Sequence, residues 1–125
     1  MADHAGSIRD VPGGVTAPAG FRAAGVACGI KKRKADAPEA PLDLALVTAA
    51  GPVAAAAVFT TNKAVAAPVV VSREHLERSG GRAATIVINS GCANACTGPG
   101  GLVVAREMAE AAGQALVISG PEVEF

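Results

Sequence analysis

The amino-acid sequence predicts an α/β protein, a mixed sheet with helices packed on it, and three observations predict it. Thr85 to Asn89 reads Thr-Ile-Val-Ile-Asn, a β-branched run that is apolar on both faces. A Gly- and Asn-rich loop, Ser90 to Gly101, leads from it into a helical pattern from about Leu102 to Ala112. Gly and Pro punctuate the remainder into pieces of strand length. Together they give five or six strands and at least two helices, and periodicity does not fix the strand order.

Pro12-Gly13-Gly14 and Pro18-Ala19-Gly20 are turn signals in the entry segment. Phe21 to Ile30 follows as a partly alternating strand, with Gly25 and Gly29 marking bulges or close neighbours. Residues 31–41 read as an exposed loop. Leu42, Leu44 and Leu46 alternate with Asp43, Ala45 and Val47, which favours a strand.

Val53 to Thr61 is ambiguous: four alanines favour helix, whereas Val58, Phe59, Thr60 and Thr61 favour strand. Its short length between breakers decides for strand, so Leu42–Thr61 is expected to be a hairpin turning at Gly51-Pro52. Val69 to Val71 is expected as a short strand. Ser72 is the expected N-cap of a helix over Arg73 to Ser79, supported by a Glu74/Arg78 pair and stopped by Gly80-Gly81.

Because Thr85–Asn89 is apolar on both faces, a central, doubly covered position is expected for it. In the last helix Leu102, Ala105, Met108, Ala109 and Ala112 share one face, and Arg106, Glu107 and Glu110 the other. Ala115 to Ser119 resembles a final strand, broken by Gly120-Pro121.

Half of the residues are hydrophobic but only 2% are aromatic, so the core must be built from Ala and Val, with some Leu and Ile. Such a core is thin, and at about 25 cal/mol per Å² it returns little per side chain, so stability should depend on further layers or on a partner chain. Eleven basic residues balance eleven acidic ones, which removes the electrostatic signature of a nucleic-acid binder. Lys31-Lys32-Arg33-Lys34 is the exception, and the Asp36, Pro38, Glu39 and Pro41 around it favour a solvated loop. No apolar run resembles a secretory signal or a membrane span, and three cysteines (Cys28, Cys92, Cys96) make no disulfide framework. A soluble, cytoplasmic protein with no membrane or nucleic-acid partner is expected.

The Ser90-Gly91-Cys92-Ala93-Asn94-Ala95-Cys96-Thr97-Gly98 loop is the most distinctive stretch. Before a helix start, its backbone N–H groups and Thr97 could meet an anion. It lacks the Gly-Lys-Ser/Thr ending of a phosphate loop, however, and the simpler reading is a tight connection in which Asn94 and Thr97 satisfy local backbone groups. Cys92 and Cys96 have no matching second pair, and His4 and His75 stand apart, so neither a metal site nor a cofactor is expected. A cysteine nucleophile served by His75 has the right residue types without a supporting signature. No Gly-x-Ser-x-Gly elbow exists, and Thr60-Thr61 closes an apolar segment without requiring chemistry.

Several stretches together resemble the amino-terminal half of the glutamate N-acetyltransferases (ornithine acetyltransferases) of arginine biosynthesis. They are Gly14-Val15-Thr16-Ala17-Pro18 with Gly20-Phe21-Arg22-Ala23-Ala24-Gly25, then Asp43-Leu44-Ala45-Leu46-Val47, then Ala57-Val58-Phe59-Thr60-Thr61-Asn62-Lys63 with Ala66-Ala67-Pro68-Val69, and Asn89 through Gly98. They occur in the family's order over residues 13–113.

The resemblance implies a partial N-terminal-nucleophile-like (ornithine acetyltransferase-like) fold. In that family a precursor cleaves itself into two associated chains, and the new amino-terminal threonine of the second is the nucleophile. It takes acetyl from N-acetylornithine and passes it to glutamate. The family's oxyanion-hole Thr-Gly falls here on Ser119 and Gly120, in Val117-Ile118-Ser119-Gly120, which lacks the threonine. The nucleophilic threonine is absent up to Phe125. The implied organisation is therefore one incomplete domain over 1–125, with 1–12 and 121–125 flexible. It would have no cofactor, small amino-acid substrates, and a complementary β chain carrying the threonine in a hetero-oligomer. Two other readings stand beside it: a non-catalytic structural chain that pairs with a complementary chain, and a cysteine-dependent hydrolase using Cys92 or Cys96.

Overall fold

The computed structural model describes residues 10–117. After a short 3-10 turn at Gly14–Thr16 come β1 (Phe21–Val26), β2 (Leu44–Ala54), α1 (Ala67–Arg78), β3 (Arg82–Asn89) and α2 (Gly98–Val117). The α/β class is as expected, but among the described residues the sheet has three strands in the order β1-β2-β3, all antiparallel. Of the segments expected to be flexible, residues 1–9 and 121–125 lie outside the described residues.

The expected hairpin does not form. β2 runs straight through Gly51-Pro52, and the irregularity is absorbed as a register shift between Thr48 and Val53 on its pairing with β3. A proline can sit there because a bulge leaves its position without a ladder hydrogen bond to donate. Residues 56–61 consequently join no strand ladder among the described residues, and Val58 is 100% exposed. Thr60 and Asn62 close small turns, with Thr60 Oγ1 accepting from the Asn62 N–H at 3.1 Å and Asn62 Oδ1 from the Ala64 N–H at 2.9 Å. The Arg73 guanidinium stacks 5.1 Å from the centre of the Phe59 ring and ties this segment to α1.

Val69–Val71 lies in α1, which begins six residues before the expected helix. Pro68 occupies its first turn, where a missing N–H costs nothing. Ala66 offers no side-chain cap, and the Asn94 carbonyl accepts the Ala67 N–H at 3.2 Å in its place. Val71 is buried with Ala67 and Ala105, and this tertiary contact outweighs the strand preference of three consecutive valines. Gly80 and Gly81 stop the helix with φ of 64° and 76°. Glu74 pairs not with Arg78 but across the helices with Arg106 at 2.9 Å, both half-exposed, a contact worth about 0–1 kcal/mol.

Ala115–Val117 continues α2 instead of forming a strand, since Ala111, Ala112, Gln114, Ala115 and Leu116 are strong helix formers around the single Gly113. Residues 118 and 119 lie outside the described residues.

In an antiparallel pair, opposed residues share a face. Leu46 and Val87 lie on the side where Met108 and Ala112 of α2 approach, lining an apolar cleft with Leu44. Val47 and Ile86 lie on the other side, as do Ala45 and Ile88. Ile86 is 60% and Ile88 48% exposed, so β3 is an edge strand with one open face and not the doubly covered centre that its composition predicts.

The buried apolar core is small: Ala67, Val71 and Ala105, with Leu102 packed against it. The chain exposes 9616 Å² at a mass of 12.2 kDa, against about 6,100 Å² for a compact monomer of that mass.

Candidate functional site

Three loops meet at one end of the sheet, and Asp43 joins them. Its backbone N–H donates to the Val26 carbonyl at 3.1 Å, and its own carbonyl accepts the Ser90 N–H at 2.9 Å, linking the ends of β1 and β3. Its side chain, only 3% exposed, accepts the Cys28 N–H at 2.7 Å on Oδ1 and the Lys31 N–H at 2.8 Å on Oδ2. The carboxylate thus supplies the partners that the tight 28–31 segment cannot find in a ladder. Gly91 fits against this segment, since a Cβ there would lie 3.0 Å from both Ile30 Cγ2 and Lys31 Cγ, at a φ of 115°.

The Cys28 and Lys31 N–H bonds hold the Asp43 carboxyl down from its ordinary 3.8 to about 2. The Cys28 thiol is raised, chiefly by its hydrogen bond to that same carboxylate. A carboxylate depressed by folding stabilises the fold fully above 3.8, and that contribution is lost as pH falls through about 2. Asp43→Asn is expected to flatten the dependence of stability on pH between those values. Asp43→Ala, which strands two N–H donors, should lower Tm by on the order of 5–10 °C at neutral pH. Thermal melts from pH 2 to 7 check both.

The Ser90–Gly101 loop is closed on itself. Asn89 Nδ2 donates to the Cys92 carbonyl at 2.7 Å, Asn94 Nδ2 to the Gly101 carbonyl at 2.8 Å, and Thr97 Oγ1 to Asn94 Oδ1 at 2.5 Å. Asn94 and Cys96 hold φ of 47° and 56°, in the left-handed region. Thr97 therefore spends its hydroxyl inside the loop, the tight-connection reading. Gly101 is buried, and a Cβ on it would fall on the Thr97 and Asn94 side chains.

Cys28, Cys92 and Cys96 are free and exposed, and among the described residues no hydrogen bond or ion pair joins His75 to a thiol. In the basic loop, Arg33 donates to the Ala37 carbonyl at 3.2 Å and the lysine side chains make no ion pair among the described residues. Ser119 and Gly120 lie outside the described residues. Sequence reasoning passed over Asp43 as a site residue. Its signal was a lone acid inside the apolar run Pro41-Leu42-Asp43-Leu44-Ala45.

Among the described residues no helix is long and apolar enough to cross a membrane. The ArgJ family model matches residues 22–124. The arginine biosynthesis bifunctional protein ArgJ of Mycobacterium bovis is 51% identical over 98% of this chain and 29% of its own length. The mitochondrial protein of that name from Podospora anserina is 49% identical over 85% of this chain and 22% of its own length. Of solved structures, the ornithine acetyltransferase of Mycobacterium tuberculosis complexed with ornithine aligns with a TM-score of 0.74 at 50% identity, covering 87% of this chain and 53% of that one. The ArgJ protein of Bacillus halodurans aligns with a TM-score of 0.66 at 38% identity, over 75% of this chain and 45% of that one. The chain spans less than a third of the length of these curated relatives. By the extent of the family match, by sequence and by fold, this chain belongs to the ArgJ family.

Proposed function

We propose that the chain is the front portion of an acetyltransferase that moves acetyl from N-acetylornithine to glutamate. On this reading it completes no transfer until a complementary polypeptide carrying the nucleophilic threonine associates with it. The carrying observation is 51% identity over 98% of the chain to a protein of which that stretch is 29%. The Mycobacterium tuberculosis structure supports the substrate class, since that protein was solved with ornithine. The share covered is 53% of the solved chain but 29% of the curated polypeptide of the same species. The solved chain is therefore the shorter of the two, in keeping with a polypeptide divided in two.

The chemistry of this reading balances simply. A threonine hydroxyl, its proton taken by the adjacent α-amine, attacks the acetyl carbonyl, and ornithine leaves with the proton on its amine. The glutamate amine then attacks the acyl ester and restores the hydroxyl. Residues 1–125 form one incomplete domain in this scheme, acting in the cytoplasm, with Ser119 and Gly120 at the oxyanion-hole position. The buried Asp43 and the closed Asn94/Thr97 loop tie together the segments at one end of the sheet.

Co-expression tests the reading in a bacterium lacking its own glutamate N-acetyltransferase. Growth without arginine should require both this chain and the carboxy-terminal portion of a relative. Growth on this chain alone would refute it.

A further inference from the structure

We propose that the basic loop after β1 forms a binding pocket for a nucleotide, held through its phosphoryl groups. Lys31, Lys32 and Lys34 line one concave pocket of about 540 Å³, and Glu39 is the one acid lining it among the described residues. One carboxylate against three ammonium groups leaves a surplus of positive charge around the same space, and among the described residues none of these lysines forms an ion pair. The chain as a whole is neutral, so this charge is local and not part of a basic surface.

Hydrogen bonds and close packing fix the outline of the pocket. The buried Asp43 carboxylate accepts the Lys31 N–H at 2.8 Å, and a Cβ on Gly91 would lie 3.0 Å from the side chains of both Ile30 and Lys31. Farther along the loop the Ala37 N–H donates to the Lys34 carbonyl at 3.1 Å and closes a turn. Arg33 donates to the Ala37 carbonyl at 3.2 Å, so its guanidinium serves the loop and does not line the pocket. That division favours phosphate over carboxylate. A guanidinium recognises a planar carboxylate through paired bonds, whereas an ammonium group acts as a point charge, the usual lysine contact with phosphate. The volume lies within the roughly 300–1,000 Å³ of small-molecule sites, which is room for more than an inorganic ion. Ile30, Ala37 and Pro41 supply apolar wall for the sugar and base. No aromatic ring lines the pocket among the described residues, so nothing there stacks on one base in preference to another.

Equilibrium dialysis of the purified chain with radiolabelled ADP at low ionic strength tests the proposal. ADP should bind saturably at one site, adenosine should not bind, and GDP should bind within about threefold of ADP. Lys32→Gln with Lys34→Gln should weaken ADP binding at least about tenfold. Lys63→Gln with Arg78→Gln removes the same charge outside the pocket and should leave binding within about twofold. Titration of the native chain followed by NMR needs no variant, and the backbone amide signals of Lys31 and Gly91 should shift as ADP is added. Absence of saturable binding, or unmoved signals at both amides, would overturn the site. Equal weakening by the two double variants would reduce the effect to non-specific attraction and overturn it too. Citrate displacing ADP as well as pyrophosphate does would refute the choice of phosphate. Retention by phosphatidylserine vesicles without any binding of ADP would give the loop to a membrane surface instead. All of these outcomes leave the acetyl-transfer reading untouched.

Discussion

The purified 125-residue chain is expected to give no transfer of acetyl from N-acetylornithine to glutamate above a buffer blank. Loss of a covalent nucleophile lowers turnover by on the order of 10⁴–10⁶-fold. Three hydroxyl or thiol groups among the described residues are engaged elsewhere. Thr97 donates to Asn94, the Thr60 hydroxyl is spent on a turn, and the Cys28 thiol is held protonated by its bond to Asp43. A nucleophile needs a base within hydrogen-bond reach, and among the described residues no hydrogen bond joins the His75 side chain to any of these groups. A radiolabelled-acetyl assay on the chain alone, then with the complementary portion added, checks the expectation. Turnover should appear only in the second arm.

The second large effect concerns two neighbouring glycines, with opposite signs. Gly101→Val places a side chain on Thr97 and Asn94, breaks their 2.5 Å hydrogen bond and pushes the Asn94 amide off the Gly101 carbonyl. Overpacking and lost hydrogen bonds together should cost about 2–4 kcal/mol and lower Tm by about 10 °C. One position earlier, Gly100 is exposed and helical with nothing within 4 Å of a Cβ, so Gly100→Ala should stabilise by about 0.5–1 kcal/mol. Urea unfolding followed by circular dichroism distinguishes the two. Equal effects at both positions would contradict the packing described for this loop.

Local patterning was a good guide wherever local forces decide. The β-branched run 85–89 became β3, the five-residue apolar stripe from Leu102 to Ala112 faces inward in α2, and Gly80-Gly81 ended α1. It failed where a tertiary contact decides. Val69–Val71 prefers a strand in isolation and is helical because Val71 packs on Ala105. Gly51-Pro52 has turn composition, yet β2 passes through it because β3 pairs with it on both sides of that point and a bulge absorbs the proline. Ile86 and Ile88 look like a central strand and sit on an open face, because no further element among the described residues covers them.

The site divides in the same way. The Asn89–Gly98 motif announced itself through its residues, and its closure by Asn94 and Thr97 follows from their side-chain chemistry. Asp43 did not, because one acid in an apolar run reads as an outward-facing strand residue until the 28–31 segment is seen to fold over it.

Intact-protein mass spectrometry bears most directly on the division of labour. This chain and the complementary portion are incubated together with N-acetylornithine and quenched in acid. One acetyl group should appear on the amino-terminal threonine of the complementary portion, with the mass of the 125-residue chain unchanged. An acetyl ester on this chain, or cleavage of this chain by itself, would contradict the account.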